Sequence, residues 1–227
     1  MPKLRIVAIA DTHGQHEGVR VPDGDIFIHA GDFMETGVEV KEITAFNSWL
    51  GRLPHRWKLV VAGNHDLLLQ GSDFGRVLLT NAVYLENRPF ELYGVNFFGS
   101  PYTPRIENWA FMEQRRGERL RRIWNQIPNR TDVLITHGPP WGVLDIFEGE
   151  NCGCELLLER LAQHPVPIHI FGHIHPGHGQ VHLDNTQFFN VAVLDAERNP
   201  THTPTVIDIE MEGRNQSLMS LGPKEWR

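Results

Sequence analysis

Five apolar runs of strand length punctuate this chain, and each gives way to a short cluster of Asp, His or Asn. Residues 4–10 (LRIVAIA) lead into Asp11-Thr-His13, and residues 25–30 (DIFIHA) into Gly31-Asp32. Residues 57–62 (WKLVVA) lead into Gly63-Asn-His-Asp66, residues 132–136 (DVLIT) into His137-Gly-Pro-Pro140, and residues 168–171 (IHIF) into Gly172-His-Ile-His175. β-Branched runs of this length, closed by Gly and Pro, read as buried strands. In open α/β sheets, ligands bind beyond the carboxyl ends of the strands. The fold must therefore be one that lays these strand ends side by side, so that their polar side chains share one crevice.

Helical patterns fill the gaps. Residues 38–53 carry Ile43, Phe46, Trp49, Leu50 and Leu53 at three-to-four spacing, residues 107–127 carry Leu120, Ile123, Trp124 and Ile127, and residues 154–161 are short and leucine-rich. Further strands are expected at 82–85, 95–98, 180–183, 188–193 and 205–211. Strands and helices mixed in this way predict a layered α/β fold with enough strands for two packed sheets. With 227 residues and no repeat, low-complexity tract or long linker, residues 1–227 read as a single domain.

The formal net charge of −7 argues against an extended nucleic-acid surface. No stretch reaches the roughly 18–20 apolar residues of a membrane span, and the first residues run straight into a strand without a signal-peptide layout. A cytoplasmic protein is the expectation. Cys152 and Cys154, one residue apart, are too few for a four-cysteine zinc site and badly placed for a mutual disulfide, so both read as reduced and structural.

The strand-end residues Asp11, His13, Asp32, Asn64, His65, His137, His173 and His175 offer carboxylate, imidazole and amide donors and no thiolate. Such a mixed set suits borderline divalent ions such as Mn²⁺, Fe²⁺ or Zn²⁺. It is too large for one four-coordinate ion. Two ions about 3.5–4 Å apart, bridged by a carboxylate and a hydroxide, would use it.

In this order and at these separations, Asp11-x-His13, Gly31-Asp32, Gly63-Asn-His-Asp66, Thr136-His-Gly138 and Gly172-His-x-His175 resemble the calcineurin-like metallophosphoesterase family. The stretches Gly31-Asp-Phe-Met-Glu-Thr-Gly37, Gly99-Ser-Pro101, Thr136-His-Gly-Pro-Pro140, Gly153-Cys-Glu-Leu-Leu157 and Phe171-Gly-His-Ile-His175 are similar to its metallophosphoesterase-domain-containing (MPPED) branch, whose members are phosphodiesterases acting on cyclic nucleotides. The resemblance implies a four-layer αββα sandwich of two mixed β-sheets, with a binuclear metal site at the strand C-terminal ends. It implies that Asp11, His13 and His175 hold one ion, that Asn64, His137 and His173 hold the other, and that Asp32 is shared. Mn is the ion expected to serve in vitro. His65 is the expected catalytic residue, and Asn64 and His65 the expected substrate contacts. A hydroxide bridging the ions would attack a small phosphodiester or nucleotide in line, while His65 binds a phosphate oxygen or protonates the leaving group. Asp66 would either orient the His65 ring or cap the following helix.

Other readings stand beside these. The same core serves phosphomonoester or protein-phosphate hydrolysis, and a non-catalytic nucleotide-binding module could keep the fold. His29 and His169, inside strands, read as hydrogen-bonded structural residues, while His16 and His178 lie in loops beside the motifs. The glycines flanking the ligands read as turn residues with unusual dihedrals. The basic stretch from Arg115 to Arg122 reads as a solvated helix face. Tyr102, Arg105 and Trp109 are candidates to cover a nucleobase.

Overall fold

The computed structural model describes residues 3–71 and 73–211. The first sheet is built from β1 (Lys3–Ile9), β2 (Ile26–Ala30), β3 (Trp57–Val61) and β4 (Val83–Tyr84). The second draws on β5 (Arg88–Leu92) and β6 (Val95–Ser100) and, beyond the two-residue strands β7 (Thr103–Pro104) and β8 (Met112–Glu113), on β9 (Val133–Thr136). After a small hairpin of β10 (Ile146–Phe147) and β11 (Glu150–Asn151), it is completed by β12 (Ile168–Phe171), β13 (Gly179–Leu183) and β14 (Thr186–Asn190), while β15 (Thr205–Glu210) returns to the first sheet. The orders are β15-β1-β2-β3-β4 and β13-β14-β12-β9-β6-β5. β1 to β4 are mutually parallel, as are β6, β9, β12 and β14, and antiparallel strands edge both sheets.

Strand alternation explains the layers. Ile6, Ala8, Ile26, Ile28, Leu59 and Val61 of the first sheet meet Phe97, Val133, Ile135, Ile168 and Ile170 of the second in one buried core. The opposite faces bury Val7, Ile9, Phe27 and Val60 under Ile43, Phe46, Trp49 and Leu50 of α1 (Val40–Arg52). After the short α2 (Asp73–Val77), α3 (Glu118–Trp124) and α4 (Glu155–Gln163) cover Phe98, Leu134, Phe171 and Phe188 with Leu120, Ile123, Trp124, Leu156, Leu157 and Leu161. The result is the expected four-layer αββα sandwich of two mixed sheets.

Two expectations are corrected, and one strand was not anticipated. The helix anticipated over 107–127 is confined to Glu118–Trp124. Positive φ at Phe111 (52°) and Arg116 (57°) interrupts the segment upstream, and the apolar periodicity begins only at Leu120. β5 has no strand signal in the sequence because it carries Pro89; as an edge strand it tolerates the missing donor, and the turn at Tyr93-Gly94, with φ of 56° and 74°, returns it onto β6. The Arg115–Arg122 stretch is not simply solvated: Arg115 and Arg116 reach Glu155 at 2.7 and 3.3 Å, and Arg121 reaches Glu159 at 3.0 Å, stitching α3 and the turn before it to α4. Among the described residues no helix is long and apolar enough to cross a membrane. Both cysteines are free, and the buried Cys154 sulfur accepts a hydrogen bond from the Trp124 indole at 3.2 Å.

Candidate metal centre

Four of the strand-end residues sit where side-chain-bearing residues rarely go. Asp11, His13, Asp32 and His173 have φ of 57°, 40°, 57° and 69°. Left-handed backbone costs a non-glycine residue about 1–2 kcal/mol, and it persists where the surroundings over-determine it. Here the surroundings are backbone hydrogen bonds between neighbouring strand ends: Asp11 N–H to Gly31 O at 2.9 Å, and His13 N–H to Asp32 O at 3.0 Å. Gly63 and Gly172 serve by leaving room. A Cβ on Gly63 would lie 2.1 Å from Asp32 Oδ1, and one on Gly172 2.1 Å from Asp11 Oδ2. Neither has a positive φ, so close approach is what demands glycine there, and the turn-dihedral expectation does not hold for these two.

The donor atoms converge as overlapping groups whose members lie within 4.8 Å of one another: Asp11, His13 and His175; Asp32, His137 and His173; and His13, Asp32 and His65. Three of the imidazoles follow one pattern. Each turns Nε2 inward, His13 to Asp32 at 3.7 Å, His137 to Asp32 at 3.4 Å and His175 to Asp11 at 3.7 Å. Each turns Nδ1 outward: His137 to the Ala30 carbonyl at 3.0 Å, His175 to the Asp195 carbonyl at 2.9 Å, and His13 toward the Glu35 carboxylate at 3.8 Å. An Nδ1–H donated to an oxygen leaves the Nε2 lone pair for a cation. The Asn64 amide oxygen lies 2.9 Å from His137 Nε2, which brings the amide donor into the second group.

The electrostatics suit a cation. Burial would raise the Asp32 carboxyl, but the neighbouring His137, His13 and His65 hold it well below the usual range. Burial also acts on His173, with His137 adding repulsion, and takes it down to about 3, so that ring is a neutral donor. His137 moves the other way: against its burial, the Asp32 carboxylate raises it to about 9, so without an ion the ring carries a proton on Nε2 that a bound cation would displace. Asp11 Oδ1 and His13 Nδ1 are buried without a hydrogen-bond partner among the described residues. Converging carboxylate, amide and imidazole donors, with a buried orphan oxygen among them, fit divalent ions.

His65 is held in place without using its Nε2. Its backbone N–H donates to Asp32 Oδ1 at 2.7 Å, its Nδ1 meets the Glu35 carbonyl at 3.1 Å, and the Trp109 indole stacks on the ring at 4.3 Å between centroids. Asp66 plays neither role expected of it. Its carboxylate accepts from the N–H groups of Gly63 (2.7 Å), Asp32 (3.0 Å) and Met34 (2.9 Å), bracing the second ligand loop against the third. His16 is buried against Phe46 and Trp49, His178 stacks on His202, and Tyr102 is buried against Phe111, which removes it from the candidates for covering a base. His29 and His169 are the hydrogen-bonded strand residues expected, His29 bonding Thr12 at 3.1 Å and His169 bonding Thr136 at 2.8 Å. Glu35 had no signal in the sequence. It lies inside the Gly31–Gly37 motif, but only the fold brings it to His13.

The family model for calcineurin-like phosphoesterases matches residues 4–177, which take in every strand end described above. The chain belongs to this family. It is 43% identical over 206 residues to the UPF0046 protein K07C11.7 of Caenorhabditis elegans, covering 84% of this chain and 70% of that one. It is 37% identical over 232 residues to Homo sapiens metallophosphoesterase domain-containing protein 1, covering 90% of this chain and 71% of that one, so the branch resemblance holds as well. Among solved structures it is similar to TT1561 of Thermus thermophilus, with a TM-score of 0.56 at 16% identity over 83% of this chain and 89% of that one; that likeness speaks to the fold. Family and donor set together make the chain a divalent-metal-dependent phosphoric ester hydrolase.

Proposed function

We propose that this member of the family is a phosphodiesterase with two divalent ions, acting on cyclic nucleotides (2′,3′ or 3′,5′) or related small phosphodiesters. The observation that carries the two-ion reading is the division of the donors into an Asp11–His13–His175 group and an Asp32–His137–His173 group. Asp32 Oδ2 stands between the two, 3.7 Å from His13 and 3.4 Å from His137. His173 and His175, two residues apart, fall in different groups. Bound there, the ions would supply Lewis-acid activation of water and of the phosphoryl oxygens.

The residues supply the rest. Asp32 places carboxylate charge between the ions and offsets their repulsion, while Asn64 can accept or donate at the substrate's edge of the second group. His65, with Nδ1 committed to the Glu35 carbonyl, keeps Nε2 for a phosphoryl oxygen or for the leaving oxygen, to which it can hand a proton. The diester class is supported by the resemblance to the MPPED branch. A cytoplasmic location accords with two free thiols.

A panel of bis(p-nitrophenyl) phosphate and p-nitrophenyl phosphate, run with Mn²⁺, Fe²⁺, Zn²⁺ and Mg²⁺ beside elemental analysis, tests the proposal. Turnover of the diester well above that of the monoester, with about two ions per chain, is expected. Equal or reversed preference rejects the diester class, and binding of two ions with no turnover of either ester points to a non-catalytic module.

A further inference from the structure

Beside the metal centre lies an open cleft of about 710 Å³, lined by Thr36, Val38 and Leu67 on one side and by Arg105, Ile106 and Trp109 on the other. Its volume falls in the range of small-molecule sites, roughly 300–1,000 Å³. Three of its apolar side chains are unusually open to water: Val38, Ile106 and Trp109 are 58%, 59% and 37% exposed. Isolated exposed apolar residues need no explanation, but three facing one cleft do.

Both walls are pinned to the loop that carries His65. On one side, Leu68 N–H donates to the Gly37 carbonyl at 2.9 Å, and the Glu42 carboxylate takes the N–H groups of Glu35 and Thr36 at 2.8 and 3.1 Å. On the other, Ala110 N–H donates to the Asn64 carbonyl at 3.0 Å, and Arg105 N–H to the Glu113 carbonyl at 2.7 Å. Trp109 ties these together. Its indole N–H is held by Glu107 at 3.1 Å, and its ring lies on His65 with an interplanar angle of 23°. One ring of the stack therefore belongs to the phosphoryl site and the other to the cleft. The cleft's polar handles are the Arg105 guanidinium and the Asn108 amide, since the Thr36 hydroxyl is spent on the Glu42 carboxylate and the Glu107 carboxylate on the Trp109 indole.

Resting on the phosphoesterase reading above, we propose that this cleft is a nucleobase subsite, in which the base of a nucleoside phosphate ester stacks on the part of Trp109 that His65 leaves uncovered. A flat heteroaromatic ring matches the site's composition. Its π-face meets the indole and the aliphatic rim, and its ring nitrogens and exocyclic groups meet Arg105 and Asn108. The subsite selects what is attached to the phosphate, and the metal centre handles the phosphate itself.

Calorimetry on the Mn²⁺-loaded protein with adenosine 5′-monophosphate and with ribose 5-phosphate, which lacks the base, reads the two regions separately. Adenosine 5′-monophosphate is expected to bind at least about tenfold more tightly, the scale of one base–aromatic stack. Trp109→Ala should bring that ratio to within about twofold by weakening the nucleotide alone, and Trp109→Phe should keep most of it. Ile106→Glu, at an exposed position that folding does not depend on, should weaken the nucleotide in the same selective way. Equal binding of both ligands by the native protein overturns the subsite, as does a Trp109→Ala variant that weakens both in proportion, since the indole would then act only through His65. If neither phosphate binds, the subsite is overturned, while the phosphodiesterase reading is judged separately by its own ester panel.

Discussion

A histidine ligates through one ring nitrogen and is aimed through the other. At His137 and His175 the aiming oxygen is a backbone carbonyl, fixed by the strand ends that carry Ala30 and Asp195. At His13 the nearest oxygen is the Glu35 carboxylate, 3.8 Å away, too long for a hydrogen bond but near enough to act on the ring by charge, and itself held by Arg198. A carboxylate behind a metal-bound imidazole makes the ring a better donor, and removing such partners costs about 10–100-fold in metal affinity. Glu35→Gln is therefore expected to weaken binding of one ion by about that factor, measured by competition with a chromophoric chelator; unchanged affinity would remove Glu35 from the centre. His65 makes the opposite prediction. Although its ring lies within reach of His13 and Asp32, its Nδ1 is committed to Glu35 and its ring face to Trp109. His65→Ala should keep its full complement of metal by elemental analysis while losing about 10²–10⁴-fold in turnover, the usual worth of a positioned acid. An empty or half-filled centre in that variant would make His65 a ligand instead.

Two strands carry a histidine that no ion needs, and each props a ligand loop. On β2, the Gly31 N–H donates to His29 Nδ1 at 3.3 Å, so His29 donates from Nε2 to Thr12, beside Asp11 and His13. On β12, Thr136 gives its proton to the Gly138 carbonyl at 2.7 Å, so it must accept from His169 Nε2 at 2.8 Å, which braces the turn around His137. Burial drives His169 down to about 3, and the unfolded chain returns it to about 6.5. The native ring is thus neutral where the unfolded ring takes a proton. Its contribution to stability is intact above about pH 6.5 and falls by about 1.4 kcal/mol for each pH unit below that, until the native ring also protonates near pH 3. Urea unfolding of His169→Gln between pH 7 and pH 4 should show a slope shallower than the native protein's by about that amount; parallel curves would mean the buried ring is already charged. Elements of this kind were largely legible before the structure. A buried parallel strand is a continuous apolar run, and its terminal chemistry follows it directly in the chain, so all eight strand-end residues could be named together. What failed to show was non-local or masked. Pro89 hides an edge strand, positive φ at Phe111 and Arg116 cuts short an apparent helix, and the work of Asp66 and Glu35 exists only once separate loops meet.

At the scale of the molecule, the sandwich gathers charge that the chain alone does not neutralise. Asp11 and Asp32 are 0% and 2% exposed. Burial and the Asp32 charge both push the Asp11 carboxyl upward, and the imidazoles of His175 and His137 outweigh them and hold it below its ordinary value. A ligand that binds only the native form stabilises it by RT ln(1 + [L]/Kd), about 2.7 kcal/mol at a hundredfold excess over Kd. In a chain of this size that is a rise of about 5–10 °C in Tm. Thermal unfolding with Mn²⁺, and again after exhaustive chelation, should differ by that much. The control is Asp32→Asn, which keeps the side chain's shape and removes one buried anion. If the carboxylates are there for ions, this variant loses most of the metal-dependent gain, while its chelated form melts close to the chelated native protein, the lost repulsion with Asp11 offsetting the lost attraction to His137. If instead Asp32 serves the fold, through the N–H of His65 that it accepts at 2.7 Å, the chelated variant melts well below the chelated native protein. Only the second outcome lowers the chelated variant, so one pair of melting curves decides whether the junction of the two sheets is built for its own stability or for the ions it holds.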